Sequence, residues 1–580
     1  MSTRSIAQAD SSDASFVELF TPKLVTVLKE GYRLAHFRDD AIAGLTVAIV
    51  ALPLSMAIAI ASGVSPAQGL YTAIVGGFLV SALGGSRFQI GGPAGAFIVL
   101  VASTVQVHGM QGLIVATLIS GVMLTLMGVL RLGTYIKFIP HPVTVGFTAG
   151  IAVIILGSQI KELLGLTLSQ PEPGPLVEKL PVLWESLPST DVTSVGISLA
   201  TILCIFVLKR ARPQWPGMLI AVTAAAAVTA IFVLPIATIG TRFGGIPNTL
   251  PTPSLPTFTL TQIQAVMPNA IAFALLGSIE SLLSAVVADG MTGRRHRSNC
   301  ELVGQGVANV ASAVFGGICV TGTIARTATN VRAGAHGPIA GMLHAIFLLA
   351  FLLLAAPLAS FIPLAALAGV LVVVAWNMVE KPAFATLLRS SRGDAAILLT
   401  TLLLTIFRDL TEAIVVGFAL GSVLFIHRMS KATAIEMHTP LLVQEDTPDD
   451  APGTRRPYDE KTANDPKVVV YRISGAFFFG AAASIGSVLD RIADTHRALV
   501  IDFASVPFLD STGAHTIERL GEKAARRGVK VVLTGTSAGL RKTLAAHGVE
   551  APLVKYESTI EQALANLRPS SDCMRSSGSR

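Results

Sequence analysis

The sequence predicts a polytopic α-helical membrane protein of fourteen segments, arranged as two inverted sets of seven, followed by a small cytoplasmic α/β domain. Three observations lead there. Of 580 residues, 52% are hydrophobic and 14% charged, with a mean hydropathy of +0.65, where a soluble domain carries about 25% charged residues. The apolar residues gather in runs near the roughly 20 residues that a spanning helix needs. Beyond about residue 430 the runs stop, and short β-branched stretches alternate with amphipathic ones.

Residues 1–38 are polar and amphipathic, without the apolar core of a cleavable signal. They read as a cytoplasmic segment, with targeting left to the first membrane helix. A membrane domain over 39–430 holds full-length candidates near 41–62, 67–84, 111–130, 143–162, 192–209, 217–238, 267–289, 299–316, 336–358 and 362–379. The run 394–428 is interrupted by Arg408-Asp409-Leu410-Thr411-Glu412 and reads as two helices with a tight polar turn.

Two further segments are too broken to span in the ordinary way. Gly84-Gly85 precedes SRFQIGGPAGAFIVLVAS, and Gly316-Gly317 precedes ICVTGTIARTATNVRAGAHG. Short, Gly/Pro-interrupted segments at matching places in two halves point to a transporter's binding site. A half-helix there aims free N–H groups and a positive dipole end at one point, which suits an anion. With 93–108 and 323–334 counted, the crossings number fourteen.

Loop charges test the count, because cytoplasmic loops are enriched in Lys and Arg. The predicted inner loops carry Arg131 and Lys137; Lys209, Arg210 and Arg212; Arg294, Arg295 and Arg297; Lys381, Arg389 and Arg392. The predicted outer ones carry Glu162, Glu172, Glu178 and Glu185. Both termini are then cytoplasmic and the protein sits in the plasma membrane. Seven segments per half require the halves to be inverted. Aligning Gly85 with Gly317 yields few identities, so the repeat rests on position: each Gly-Gly break follows the second helix of a set.

The net charge of +7 lies in these loops and forms no aromatic-laced patch, which argues against nucleic acid. Cys204, Cys300, Cys319 and Cys573 are widely spaced, so neither a disulfide framework nor a metal site is expected. No P-loop, nucleophile elbow or cofactor motif occurs. The chain reads as neither an enzyme nor the motor of an ATP-driven pump.

After a polar linker over 431–466, residues 467–568 form the α/β domain and 569–580 a tail. KVVVYRIS, ALVIDFAS and VKVVLTGTS read as strands; AAASIGSVLDRIADTHR and GAHTIERLGEKAARRG read as helices. Asp510-Ser511-Thr512-Gly513 opens the second helix. Asp and Ser suit caps, and a phosphate on Ser511 or Thr512 would be stabilised at a helix N-terminus, which makes the pair a candidate regulatory or partner site.

Within the membrane domain, Glu280 lies near the middle of a spanning helix, where an ionisable group is expensive and faces a cavity or partner. It is the candidate proton carrier. Arg326, inside TGTIARTATN, is the candidate anion-binding cation; its bland alternative is a pair with Glu280 or with helix-end carbonyls. Thr321, Thr323, Thr327 and Thr329 offer hydroxyls, some of them only to their own helix. Pro93 suits a first helical turn, and Gly91, Gly92 and Gly95 leave backbone N–H groups approachable. Gln89 and Phe97 are further candidates. Asp289 reads as interfacial, and His344 as a satisfied core histidine.

ALPLSMAIAIASGVSP, GLYTAIVGG, GGSRFQIGGPAGAF, SIESLLSAVVADGMTG, GGICVTGTIARTATN and the late DSTG, in this order over about 35–565, resemble the SulP family of anion transporters with a STAS domain at the end. The resemblance implies two inverted repeats split into core and gate domains. The anion would sit between the facing ends of the third and tenth segments, at Gly92, Pro93, Ala94, Thr323, Ala325, Arg326 and Thr327. It also implies a homodimer in the lipid bilayer and a STAS domain that assists assembly or regulation. Leu54 follows Pro53 where many sulfate-transporting members have Gln, which leans toward bicarbonate or dicarboxylate. Glu280 stands where sodium-coupled members centre their ion site on Asp, which favours H⁺ over Na⁺. Thr512 stands where antagonist proteins carry a phosphorylated Ser. The expectation is a proton-coupled symporter of a small inorganic or carboxylate anion (bicarbonate, dicarboxylate or sulfate) working by an elevator-like motion. The alternative is an anion channel or an anion-responsive signalling protein with STAS output.

Overall fold

The computed structural model describes residues 19–134, 140–170, 173, 176–212, 215–408, 410–432, 434–437, 468–478 and 497–567. The chain forms two compact units, 1–419 and 420–580.

The first unit is helical. Among the described residues, nine helices are long and apolar enough to cross a membrane. The expected fourteen exceed this because several candidates are short: Ser298–Val314 has 17 residues, Arg392–Phe407 has 16, Gly217–Ile231 has 15 and Ile324–Arg332 has 9. The stretch Ile98–Val129 covers two candidates, 93–108 and 111–130, and breaks between them at Gly109, whose φ of 68° and ψ of −177° are not helical. The predicted polar turn separates Arg392–Phe407 from Leu410–Ala432. The Glu280 helix, Leu260–Thr292, starts earlier than its apolar core, where the Thr259 hydroxyl accepts from the Gln262 N–H at 3.2 Å.

Small residues bring the helices close, as expected in a membrane, where packing replaces the hydrophobic drive between helices. A Cβ on Gly121 would lie 2.7 Å from the Gly306 carbonyl, and one on Gly128 2.8 Å from that of Asn299. These seat Ile98–Val129 against Ser298–Val314. The second helix begins at Pro66, passes through a π-turn at Thr72–Gly76, and ends as Gly77–Leu83. Its turn approaches both broken segments. A Cβ on Gly76 would meet Val320 at 2.9 Å, and one on Gly77 the Gly91 carbonyl at 2.7 Å.

Two short strands lie in this unit, β1 (Gly91–Gly92) and β2 (Thr321–Gly322). The second unit holds the others: β3 (Ala434–Met437), β4 (Val468–Ser474), β5 (Ala498–Ser505), β6 (Lys530–Thr534) and β7 (Lys555–Glu557). They form one sheet in that order, antiparallel between β3 and β4 and parallel thereafter. Central β5 is buried over its first six residues, as a strand covered on both faces must be. Helix Ser511–Arg526 lays Ile517, Leu520 and Ala524 on a core with Ile473, Phe477, Ile501 and Phe503. Ile426 and Met429, near the end of Leu410–Ala432, pack on the same core. β3 takes the first residues of the predicted linker. The rest of that linker, most of the expected helix near 481–497, and the tail from 569 lie outside the described residues.

Candidate functional site

The two broken segments meet. β1 and β2 pair antiparallel, with Gly91 opposite Gly322 and Gly92 opposite Thr321. Each strand then turns into a helix pointing away from the junction: a 3₁₀ turn at Gly95–Phe97 leading into Ile98–Val129, and Ile324–Arg332. Neither start has a side-chain cap, since Ala94 offers no oxygen and Thr323 turns its hydroxyl elsewhere. The first-turn N–H groups of a helix lack partners within it, so both starts present donors to the same place.

The second segment straps the first. The Thr323 N–H donates to the Ile90 carbonyl at 3.0 Å, and its hydroxyl donates to the same oxygen at 3.2 Å. The Ile90 N–H donates to Thr327 Oγ1 at 3.1 Å, and Asn330 Nδ2 to the Phe88 carbonyl at 2.9 Å. Thr323 and Thr327 therefore hold the first segment at Ile90. Thr321 donates to the Gly277 carbonyl at 3.2 Å, and Thr329 to the Ala325 carbonyl of its own helix at 2.9 Å.

Arg326 is the largest fully buried side chain in the described structure, with 1% of its surface exposed. Its Nη2 donates to Ser55 Oγ at 3.2 Å and to the Pro93 carbonyl at 3.3 Å. Its Nε and Nη1 are buried without a protein partner, and no ion pair involves it among the described residues. A buried guanidinium with open donors is unusual, because an uncompensated buried charge is costly. Gly92 makes room for it, since a Cβ there would overlap Nη1. Gly92, Pro93 and Ala94 are buried, whereas Ala325 is exposed.

Glu280 is half-buried and has no hydrogen bond or ion pair among the described residues, so the pairing with Arg326 weighed from sequence is not made. Its helix packs along both segments. Gly277, Ser281 and Ser284, at helical spacing on one face, receive Thr321, receive Gln89 Nε2 at 2.7 Å, and donate to Thr327 Oγ1 at 3.0 Å, respectively. Glu280 lies within this row. Asp289 accepts from the His296 N–H at 3.1 Å.

Several residues escaped the sequence reading. Glu301, fully buried, accepts from the Ser86 N–H at 3.0 Å and from Gln89 Nε2 at 2.8 Å. The signal was there: it is the only charge in the apolar helix Ser298–Val314. Thr72 and Asn309 hold the second segment, accepting from the N–H groups of Ile318 at 2.7 Å and Val320 at 3.0 Å. Ser55 left no signal. His344 corrects an expectation: it is buried, but both ring nitrogens lack a protein partner. In the second unit, Asp510 caps its helix by accepting from the Gly513 N–H at 2.8 Å, and Ser511 and Thr512 stand exposed at the helix start.

Residues 37–401 match the profile of the Sulfate permease family, and residues 461–563 that of the STAS domain. The chain belongs to the sulfate permease family. Among relatives of this family member, the Putative sulfate transporter YvdB of Bacillus subtilis (strain 168) is 39% identical over 90% of this chain and 95% of its own. The Bicarbonate transporter BicA of Picosynechococcus sp. (strain ATCC 27264 / PCC 7002 / PR-6) is 30% identical over 88% and 91%. In structure, the transmembrane domain of a cyanobacterium bicarbonate transporter BicA superposes with a TM-score of 0.59 at 31% identity, covering 66% of this chain and 98% of that one. The murine Slc26a9 anion transporter in the inward-facing state shares the fold, with a TM-score of 0.81 at 17% identity over 96% of both chains. The sulfate permease family chain is thus a multi-pass membrane anion transporter rather than an enzyme.

Proposed function

We propose that the protein is a secondary active, proton-coupled symporter of a small oxyanion or carboxylate, acting in the plasma membrane as a homodimer with cytoplasmic termini. One observation carries the reading: the Nε and Nη1 donors of buried Arg326 are unpartnered where two uncapped helix starts converge. An anion there completes the guanidinium's hydrogen bonds and neutralises its charge. Bicarbonate, sulfate and dicarboxylates all present oxygens to such a site. The names of YvdB and BicA support sulfate and bicarbonate as first candidates.

Gly92, Pro93 and Ala94 form one wall and Thr323, Ala325, Arg326 and Thr327 the other. The anion enters while Glu280 holds a proton, so charge inside the membrane stays compensated. The paired segments and the Glu280 helix then move together past the remaining helices, in an elevator-like step. Release of anion and proton on the other side resets the carrier. The STAS unit assists assembly or regulation, with Ser511 and Thr512 open to a kinase or partner. The test is uptake of labelled bicarbonate, sulfate and fumarate into proteoliposomes, with and without an imposed pH gradient. Wild type should accumulate one of them against its gradient only when the pH gradient is present. Glu280→Gln should lose that accumulation; if it accumulates as wild type does, the coupling assignment is wrong.

A further inference from the structure

We infer that Glu301 is a positioning residue for the anion site, a clamp that sets the register of the first segment and links it through Gln89 to the Glu280 helix. The inference rests on the reading of the two segments as one anion site. Glu301 Oε2 accepts from the Ser86 N–H at 3.0 Å. Oε1 accepts from Gln89 Nε2 at 2.8 Å, Gln305 Nε2 at 3.2 Å and Ser281 Oγ at 3.4 Å. Gln89 Nε2 also donates to Ser281 Oγ at 2.7 Å, so Gln89, Ser281 and Glu301 close a ring between the first segment, the Glu280 helix and Ser298–Val314. The carboxylate is fully buried and makes no ion pair among the described residues. Hydrogen bonds alone satisfy its two oxygens, as a buried polar group requires.

The clamp has a counterpart in the other half. Ser86 follows Gly85, and Ile318 follows Gly317. The Ile318 N–H donates to Thr72 Oγ1 at 2.7 Å. The second helix of each half thus holds the first residue after the other half's Gly-Gly break. The two anchors differ in reach. Around Thr72 the grip on the second segment is divided among three side chains, with Ser312 donating to the Ile318 carbonyl at 2.7 Å and Asn309 holding Val320. Around Glu301 one carboxylate grips Ser86 and Gln89 together, and Gln89 adjoins the Ile90 that Thr323 and Thr327 hold. The position needs two acceptor oxygens. A glutamine there would turn an NH₂ group toward a donor, either the Ser86 N–H or the Gln89 amide.

The experiment uses the full-length chain in proteoliposomes, with labelled bicarbonate and sulfate as probes, beside amide hydrogen exchange of the purified protein. Glu301→Gln should raise the KM for the transported probe about tenfold, the effect of one lost buried hydrogen bond, with Vmax within about twofold. Exchange should quicken across 86–92 and stay unchanged across 318–322. The swap Glu301→Gln/Gln89→Glu restores an acceptor opposite a donor and should recover both readouts. Unchanged KM and exchange in Glu301→Gln, or a swap no better than the single variant, overturns the proposal. Should Glu301→Gln not fold, Gln89→Leu cuts the link alone and is judged by the same two readouts. If wild type takes up neither probe, the transport reading fails while the exchange data still decide the clamp.

Discussion

The two broken segments share a Gly-Gly break and a strand, yet they divide the labour. The first, from Ser86 to Phe97, brings glycines, Pro93 and a carbonyl to the site. The second, from Ile318 to Arg332, brings the guanidinium and the hydroxyls that hold the first in place. Their anchors differ in the opposite sense: a buried carboxylate for the first, a hydroxyl and an amide for the second. Glu301 and Arg326 form no ion pair, so the guanidinium keeps two nitrogens without a protein partner. An inverted repeat thus supplies matching backbones, and single side chains decide which half shapes the site and which half charges it.

Arg326→Gln should break the comparison most severely. It removes the charge while keeping some hydrogen bonding, and loss of one partner of a buried charged contact is worth about 2–5 kcal/mol. Uptake should fall by roughly a hundredfold or more. Lysine should rescue poorly, since a point charge cannot make the Ser55 and Pro93 contacts together. Gly92→Ala should come next, because its Cβ overlaps Arg326 Nη1; a loss of about tenfold or more in apparent affinity is expected. Radiolabelled anion uptake checks both variants.

Thr72→Val sharpens the comparison from the other side. It removes the acceptor of the Ile318 N–H and should lower stability by about 1–2 kcal/mol, seen as a lower Tm with faster exchange across 318–322 only. The smallest effect belongs to the strap over the first break. Helix Lys23–Lys29 follows the Lys23 N–H, which donates to the Gly84 carbonyl at 3.0 Å, and just beyond it Glu30 pairs with buried Arg87. The Arg87 hydrogen bond holds the Glu30 carboxyl below the usual carboxylate range. A depressed value in the folded state means the contact contributes above the ordinary carboxylate pKa and is lost as pH falls through the lowered one. Glu30 is about half exposed, so Glu30→Gln should change stability by less than about 1 kcal/mol at neutral pH. The wild-type advantage in Tm should vanish in acid.

The parts of the candidate site that were legible are those with a local signature. Gly-Gly breaks interrupt hydropathy, and Arg326 stands out as a cation in an apolar stretch. Glu280 stands out in the same way at mid-helix. Glu301 has the same signature but lies in the first turn of its helix, where an acidic residue normally serves the dipole. Neither the 9-residue half-helix Ile324–Arg332 nor the break at Gly109 obeys the length rule that hydropathy applies, yet Gly and Pro punctuation placed segments at 323–334 and on either side of Gly109, at 93–108 and 111–130. In the second unit, β4, β5 and β6 were plain from β-branched runs. The 4-residue β3 and the 3-residue β7 were too short to announce themselves.

By itself the sequence determined that this chain lives in a membrane, where its helices break, and which break carries charge, because each of these depends on residues a few positions apart. Only the tertiary structure decided what the breaks face. Ser86 meets Glu301 across 215 positions and Ile318 meets Thr72 across 246. Arg326 reaches Ser55 across 271 and the Pro93 carbonyl across 233. Hydrogen bonds closed over such separations leave no periodicity in the chain. They exist only once two inverted halves have packed together.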